Sequence, residues 1–247
     1  MSRKGIGREF MERTRYKYLS ASAQQQGLPQ PPLQAPYRGE TEPIDLPAPS
    51  EIEVAEVDLR QAIEARESVR RYAEGPLSLA ELSYLLWCTQ GVRGVQGNYA
   101  TFRNVPSAGA RHAFETYLLV NRVEGLQPGL YRFLALEHKL VAVDLEPGIA
   151  EAIVRACLGQ QMVVRCAGTF IWVAGAERMT WRYGQRGSRY MHLDAGHVCQ
   201  NLYLAAQSIA GGACAIAAFS DEDMNHLLDL DGEGQVVIYL ATLGKVP

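Results

Sequence analysis

The sequence predicts a single α+β domain, and three observations lead to that class. Short runs rich in aromatic and β-branched residues, bounded by Gly, Pro or Asn, are grouped in the middle of the chain and predict strands. Runs with the spacing of amphipathic helices lie on both sides of them. Strands grouped in the centre with helices around them, and no repeat period, favour one α+β core. A chain of 247 residues, of which 47% are hydrophobic, is long enough to build it.

The first fifty residues differ in composition from the predicted domain, which spans residues 51–247. Residues 21–50 contain seven of the twelve prolines and predict an extended segment. Because this segment ends in apolar residues, we expect it to wrap over the domain surface. The preceding residues predict a basic helix, either simply solvated or serving as an arm for an acidic partner. Its basic residues are Arg3, Lys4, Arg8, Arg13, Arg15 and Lys17.

Two capped helices are predicted before the strands. Asp58 can cap the first helix, which we expect to end near Glu67. Ser78 and Glu81, three residues apart, form the capping-box pattern at the start of the second helix. Gly91 marks its end.

Further along, the chain alternates between strands and helices. Strands are predicted at residues 114–123, 129–136, 139–145, 168–175 and 235–244. Helices are predicted at residues 148–160, 176–184, 188–210 and 220–230. Gly211 and Gly212 are expected to end the third of these helices. The final strand is almost wholly apolar, as expected of a strand buried on both faces.

Composition and charge exclude several classes of protein. The formal net charge of −3 provides no surplus of cations for a nucleic-acid backbone. No apolar run approaches the roughly 20 residues of a membrane-spanning helix, and the N-terminus lacks the apolar stretch of a secretory signal. The five cysteines include no C-x-x-C pair, which argues against a disulfide framework or a zinc site. We therefore expect a soluble cytoplasmic protein that binds neither nucleic acid nor membranes.

Familiar nucleotide, nucleophile and metal motifs are absent from the sequence. It contains no G-x-G-x-x-G after a strand, no G-x-x-x-x-G-K-[ST] and no G-x-S-x-G. In "HLDAGH", helical geometry places Asp194 about 200° and His197 about 140° around the axis from His192, so the three cannot bind one metal. "DLDGEG" begins like a calcium-binding loop, but Leu240 stands where a bidentate carboxylate is needed. We interpret it as a turn and predict no metal site.

The stretch "RESVRRY" concentrates three arginines in a nearly neutral chain. Arg66 and Arg70 share a face in a helix or in a strand, and an extended backbone adds Ser68 to that face. Two guanidinium groups flanking a hydroxyl suit a phosphate, because each offers parallel N–H donors to its oxygens. Arg71 should then point away. A solvated basic face is the alternative.

Two further stretches consist of small residues that would let a flat ligand approach the backbone. They are "PSAGA" at residues 106–110 and "GGACAIAAF" at residues 211–219. Each has an ordinary alternative, a simple turn for the first and close packing of a strand against a helix for the second. Together with an arginine clamp for phosphate, they provide what a flavin mononucleotide (FMN) site needs.

The order and spacing of these stretches resemble one known family, the FMN-dependent nitroreductase superfamily, and more closely its SagB-type dehydrogenase branch. That branch includes the thiazole/oxazole-forming oxidases of ribosomal peptide biosynthesis. The resemblance covers about residues 50–247 and implies a nitroreductase-like fold, with a central mixed, mainly antiparallel sheet flanked by helices. It also implies a homodimer with two FMN sites at the subunit interface. The matching text is "ESVRRYAEGPLSLAELSYLLWCTQGV", "RNVPSAGARHAFETYLLV", "GLQPGLYRF", "YGQRGSRYMHLDAGHVCQNLYLAA" and "IAAF".

The resemblance assigns residues to the phosphate end of FMN by match of motif. Arg66 and Ser68 would bind the phosphate region. Arg70 would lie near the N1/O2 edge of the ring or the ribityl chain. Lys245, near the C-terminus, would assist at the phosphate.

The resemblance also assigns residues to the isoalloxazine ring. Pro106, Ser107 and Ala108 would come from the partner subunit and touch the ring. Ala217 and Ala218 would present their backbone N–H groups toward N5 and O4.

Two departures from the branch bear on activity. Ala217 stands where the branch usually has glycine in Ile-Gly-Ala-Phe, and its methyl group changes the backbone or the space above the ring. The Lys-Tyr pair that azoline oxidases of the branch use for proton abstraction matches Arg182 and Tyr183. Arginine stays protonated at ordinary pH and is a poor base. By match of motif, Arg182 and Tyr183 are nevertheless the predicted catalytic pair. Because the arginine cannot act as the base, Tyr183 is left to transfer the proton, and the azole-forming role is weakened.

These features predict an FMN-dependent oxidoreductase of the SagB type. Hydride would pass between flavin N5 and a small organic or peptide-derived substrate. One alternative is an NAD(P)H-dependent nitro- or quinone reductase. An alternative of another class is a non-catalytic flavin-binding or partner-binding protein.

Overall fold

The computed structural model describes residues 5–39 and 41–247. Arg3 and Lys4 of the predicted basic arm lie outside these residues. The helices are α1 (Ile6–Arg13), α2 (Leu59–Ala65), α3 (Leu79–Gln90), α4 (Ile149–Ala156), α5 (Met162–Arg165), α6 (Ala176–Tyr183), α7 (Gly187–Gln207) and α8 (Asp221–Leu227). The strands are β1 (Ile44–Asp45), β2 (Val92–Gln96), β3 (Ala100–Arg103), β4 (Phe114–Val120), β5 (Gly129–Leu134), β6 (Lys139–Asp144), β7 (Gly168–Gly175), β8 (Gly211–Ile216) and β9 (Gln235–Lys245).

A seven-stranded sheet forms the centre, in the order β1-β6-β5-β4-β7-β9-β8, and β2 and β3 form a separate hairpin. Every ladder between these strands is antiparallel. Among the described residues, parallel pairing occurs only as isolated bridges from loop residues, such as Ser68 to Ala213. The structure confirms the predicted α+β class with its mainly antiparallel sheet.

Alternating side chains of β7 enter two apolar layers. Phe170 and Trp172 pack in the layer that contains residues of α3 and α7. Ile171 and Val173 point to the opposite face, into the layer with residues of α4 and α8. Because successive side chains of a strand face opposite ways, an almost wholly apolar strand is buried on both sides.

The predicted helix starts are confirmed by their caps. Asp58 Oδ1 accepts from Gln61 N at 3.1 Å, and Ser78 forms a reciprocal capping box with Glu81. Ser220 caps α8 through Asp223 N at 3.3 Å. Each cap accepts from a backbone N–H that the first helical turn leaves without a partner, which fixes where the helix begins.

Three elements differ from the predictions. The helix predicted at residues 148–160 is the shorter α4, which ends at Ala156, because Leu158 and Gly159 take positive φ values of 55° and 81° before α5 begins at Met162. The long helix α7 ends at Gln207, so Gly211 and Gly212 begin β8 and do not end a helix. The hairpin of β2 and β3 was not predicted.

The N-terminal segment lies against the domain, as its apolar content predicts. Gln24 N donates to Trp181 O at 2.9 Å, and Trp181 Nε1 donates to Leu28 O at 2.9 Å. Further along, Ala35 N donates to the buried carboxylate of Glu115 at 2.8 Å. These contacts fix residues 24–35 beside α6 and β4.

The helices and the cysteines bear on two expectations drawn from composition. Within residues 5–39 and 41–247, no helix has both the length and the apolar character needed to cross a membrane. All five cysteines are unpaired thiols, and four of them are buried.

Candidate functional site

The segment after α2 lies along the edge of the sheet at β8. Ser68 forms a parallel bridge with Ala213, and Val69 N donates to Ala213 O at 2.9 Å. A Cβ at Gly212 would lie 2.5 Å from Val69 Cγ2, so only glycine permits this close approach. The small residues of β8 thus bring "RESVR" onto the sheet edge.

Tyr203 of α7 organises this segment. Its hydroxyl lies 3.1 Å from Ser68 Oγ and accepts from Ala215 N at 2.8 Å. The Arg66 guanidinium lies over its ring, 5.4 Å from the centroid. Arg70 Nη1 donates to Ser68 O at 3.2 Å. The structure therefore brings Arg66, Ser68 and Arg70 together, and with Tyr203 we call these residues the clamp.

The cations of the clamp form no ion pair in the described chain, although Glu67 lines the same cleft as Arg70. Neither Arg66 nor Arg70 forms an ion pair with another described residue. Ser68 and Arg70 line a surface cleft of about 600 Å³. Arg71 lines the same cleft, contrary to the expectation that it points away, because only Ser68 in this stretch pairs with a strand and regular alternation ends there.

Ala217 and Ala218 follow β8 directly and are exposed. Gln160 Nε2 donates to Ala218 O at 2.9 Å and holds this short loop in place. Neither alanine N–H donates to another residue in the described ranges. Two backbone donors therefore stay open at the end of β8.

Lys245 lies opposite Gly211 at the end of β9. Its ammonium pairs with the Glu81 carboxylate and donates to Ile209 O at 2.7 Å. Of the residues predicted for the phosphate, Lys245 is the one whose charge is already paired. A role there requires it to leave Glu81.

The "PSAGA" stretch leads into a strained turn. Gly109 has a φ of 59°, and the non-glycine residues Ala110 and His112 have φ values of 53° and 43°. Ser107 Oγ closes the turn by accepting from His112 N at 2.9 Å. L-residues in this left-handed region cost about 1–2 kcal/mol each, and such strain is concentrated at functional sites.

Arg182 and Tyr183 lie against this turn. A Cβ on Gly109 would collide with the Tyr183 hydroxyl and would lie 3.0 Å from Arg182 Nε. The Arg182 guanidinium is 5.7 Å from the centre of the Tyr183 ring, and its Nη1 donates to Tyr99 Oη at 3.3 Å. The two predicted catalytic residues are therefore neighbours of the predicted ring-contacting stretch within one chain.

Asp194 of α7 fixes the other side of the turn. Both of its carboxylate oxygens lie 3.3 Å from Ala108 N. Burial raises the pKa of this carboxyl group. His192 and His197 of "HLDAGH" are exposed whereas Asp194 is buried, and the described ranges contain no group of three or more side chains placed to hold a metal ion. We call Ser107, Gly109, Arg182, Tyr183 and Asp194 the turn cluster.

The clamp and the turn cluster lie on opposite sides of α7. Asp194 touches the turn, and Tyr203, nine residues later, touches the clamp. Nine helical residues correspond to about 14 Å along the axis and roughly 180° around it. One flat ring cannot contact both faces of a helix at once.

Tyr203, Asp194 and Tyr99 were not identified from the sequence as site residues. Tyr203 meets Ser68 across 135 residues of chain, which no local pattern reveals. Asp194 was considered in the sequence only as a possible metal ligand, and its burial, with 4% of the residue exposed, is visible only in the structure. Tyr99 lies in the turn of the hairpin that was not predicted.

Comparisons of this sequence with known proteins point to one family. The model of the nitroreductase family matches residues 63–245. A protein of Methanocaldococcus jannaschii described as a nitroreductase is 35% identical over 192 residues, which cover 78% of this chain and 92% of that protein. The trifolitoxin-processing protein TfxB of Rhizobium leguminosarum bv. trifolii is 31% identical over 139 residues, covering 53% of this chain and 37% of TfxB.

Solved structures extend the comparison. A protein of Ralstonia eutropha described as a nitroreductase superposes with a TM-score of 0.65 and 25% identity, covering 89% of this chain and 99% of that one. A chain of the E. coli microcin synthetase McbBCD complex with truncated pro-MccB17 bound gives a TM-score of 0.62 at 18% identity. This second likeness covers 98% of the present chain and 92% of the other, and it shows the fold alone.

Proposed function

This chain belongs to the nitroreductase family, and we propose that it is an FMN-dependent dehydrogenase of the SagB type. The observation that carries the proposal is the clamp, in which Arg66 and Arg70 flank Ser68 without an acidic partner in the described chain. Guanidinium groups and a hydroxyl form the donor set that a phosphate monoester needs.

The residues beside the clamp fit the rest of FMN. Gly212 permits the close approach of the clamp to β8, and the N–H groups of Ala217 and Ala218 are open donors where that strand ends. Bound FMN would supply hydride transfer at its N5 atom, and the protein would supply orientation and electrostatics.

The positions of the two clusters support a site built from two chains. Because the turn cluster and the clamp lie on opposite faces of α7, Pro106, Ser107 and Ala108 would reach the ring held by the clamp of a second copy. We therefore propose a homodimer in which each site takes its clamp from one chain and its turn from the other.

Arg182 and Tyr183 would divide the catalytic work. Arginine keeps its positive charge, so Arg182 holds a negative group and does not remove a proton. The Tyr183 hydroxyl, which lies against Gly109, carries the exchangeable proton and would transfer it to or from substrate.

A small or peptide-derived organic molecule is the proposed substrate. TfxB, whose name states that it processes trifolitoxin, supports a peptide-derived substrate. The McbBCD complex, with truncated pro-MccB17 bound, has a chain of the same fold.

The direct test is flavin content. Purified protein should be yellow, with flavin absorbance and about one FMN per chain after incubation with FMN. Protein that stays colourless after this incubation would contradict the proposal.

A second candidate function is reduction of nitroaromatics or quinones by NADH or NADPH. The 35% identical M. jannaschii protein, described as a nitroreductase, favours it. Anaerobic addition of either nucleotide should bleach the flavin, and a nitroaromatic should restore its colour. Absence of bleaching with both nucleotides would exclude this candidate.

A further inference from the structure

A pocket of about 530 Å³ lies between the N-terminal segment and α6, next to the turn cluster. Arg182, Arg186, Tyr16 and Tyr183 line it, together with side chains from the segment between Leu19 and Gln25. Its volume is in the range of small-molecule sites. The pocket contains the two residues proposed for catalysis and is separate from the cleft of the clamp.

The wall contributed by the N-terminal segment is held in place. The hydroxyl groups of Tyr16 and Tyr190 are 2.8 Å apart. Arg186 lies over the Tyr16 ring at 4.3 Å, and its Nη1 donates to Thr14 O at 2.7 Å. The backbone bond from Gln24 to Trp181 fixes the other end. The pocket is therefore preformed in the folded chain.

The lining of the pocket is cationic. None of its lining residues is acidic. Arg182 and Arg186 form no ion pair with any residue in the described ranges. Arg186 donates to Thr14 and Tyr190, whereas Arg182 uses one of its five N–H donors, in a long bond to the Tyr99 hydroxyl. Arg182 therefore keeps more free hydrogen-bonding capacity than Arg186, which already uses two of its five N–H donors.

We propose that this pocket binds a substrate carboxylate and that Arg182 is the residue that holds it. The planar guanidinium pairs with a carboxylate through two parallel hydrogen bonds, which a single ammonium cannot make. The rings of Tyr16 and Tyr183 offer flat walls to an apolar body attached to that carboxylate. The identity of this anion as the substrate rests on the proposed oxidoreductase function.

This assignment gives a reason for the arginine where the SagB-type branch has lysine. A lysine tuned by burial can accept a proton, but an arginine serves as a permanent anion receptor. The exchange would leave proton transfer to Tyr183 and would turn the neighbouring position from a base into a carboxylate anchor. Substrate specificity would change while the cofactor site stays the same.

The test is calorimetric titration of FMN-loaded protein with benzoate and with benzamide, its neutral isostere. Benzoate should bind at least about tenfold more tightly than benzamide, because only the carboxylate gains charge-assisted bonds. Arg182→Gln should remove this preference, and Arg182→Lys should retain part of it. N-benzoylglycine, which carries its carboxylate on a peptide unit, should bind more tightly than benzoate if the natural substrate is a peptide terminus, and less tightly if it is a small acid.

Arg155→Gln is the matched control, since Arg155 is an exposed arginine in the last turn of α4. It should bind both ligands as the unaltered protein does. Equal affinity for benzoate and benzamide, or an unchanged preference in Arg182→Gln, would overturn the proposal. Loss of FMN in Arg182→Gln would also overturn it by assigning Arg182 to the cofactor. If the protein took up no FMN on incubation but still bound benzoate more tightly than benzamide, the proposed function would be refuted and the carboxylate pocket would stand.

Discussion

The clamp and the turn cluster are built by different means. The clamp is a surface arrangement, in which Ser68 and Arg70 are exposed and a few hydrogen bonds hold the segment to β8 and Tyr203. The turn cluster depends on strained backbone at Ala110 and His112. A cofactor phosphate can be held by cations that remain solvated, whereas a reacting group must be kept in one position by its surroundings.

A buried ion triad braces the turn and has no counterpart at the clamp. Glu115 pairs with Arg178 at 2.5 Å and with Arg132 at 3.0 Å. Arg178 Nη1 also donates to His112 O at 3.3 Å. Burial alone would raise the pKa of Glu115, but Arg178 and Arg132 outweigh it and hold the pKa below its ordinary value of 4.5. Buried ion pairs in the protein interior therefore stabilise the turn.

The largest expected effect tests whether the two clusters serve one site in different chains. The double change Arg66→Ala and Arg70→Ala should abolish FMN binding through the clamp, because it removes both cations, and Ala108→Trp should block the ring through the turn. Co-expressed chains with two different tags allow the mixed dimer to be purified. That dimer should contain about one FMN per two chains, because one of its two sites is intact.

The measurement is flavin absorbance per dimer, with circular dichroism to verify that each variant is folded. Each variant alone should contain almost no FMN. If both clusters served one site within the same chain, every site in the mixed dimer would be damaged, and a colourless mixed dimer would contradict the two-chain arrangement.

The second largest effect is expected when the negative charge of Glu115, which braces the turn, is removed. Glu115→Gln should lower the free energy of unfolding by about 3–5 kcal/mol, because Arg132 and Arg178 would stay buried without their anion. Urea unfolding measures this change. Glu64→Gln removes the carboxylate of the exposed Arg60–Glu64 pair and should have only the small effect typical of surface ion pairs. Similar losses for both variants would show that the triad does not brace the fold.

The same variant predicts a pH dependence. A carboxylate whose pKa is lowered in the folded state stabilises the protein above its unfolded value of 4.5. That contribution is lost as the pH falls through the lowered folded value. The stability difference between the unaltered protein and Glu115→Gln should therefore be constant near neutral pH and shrink below pH 4.5. A difference that does not depend on pH would mean that the charge of Glu115 is not the cause.

The third effect separates phosphate recognition from ring recognition. Arg66→Ala should weaken FMN binding roughly 10- to 100-fold, the effect expected on loss of charged hydrogen bonds. Riboflavin, which lacks the phosphate, should bind the variant and the unaltered protein equally. Fluorescence titration gives both dissociation constants. Equal losses for FMN and riboflavin would place Arg66 at the ring.

Local pattern was sufficient for much of the fold and for the grouping of Arg66, Ser68 and Arg70, though not for Tyr203. The caps at Asp58 and Ser78 follow from side chains that bond their own helix, and the even spacing of Arg66, Ser68 and Arg70 is visible in the sequence itself. These features depend on residues close together in sequence. They could therefore be predicted before any tertiary contact was known.

The turn cluster could not be predicted in this way. The left-handed φ values of Ala110 and His112 are rare for such residues, and the triad that braces them joins β4, β5 and α6. The strand β8 was missed because its small residues have weak β propensity and pair only where β9 and Ser68 supply partners. The family resemblance, and not the local pattern, directed attention to Arg182 and Tyr183.

The smallest expected effect tests whether the turn positions Tyr183. Gly109→Ala should lower the free energy of unfolding by about 1–2 kcal/mol, because alanine is strained at a φ of 59°. Its added methyl group should also push the Tyr183 hydroxyl away. Gly159→Ala is the control, since Gly159 has a φ of 81° but no atom within 4 Å of an added Cβ. Both variants should lose a similar amount of stability in urea, and both should bind FMN normally. Only Gly109→Ala should slow reduction or reoxidation of the flavin, so equal rates in the two variants would separate the strained turn from catalysis.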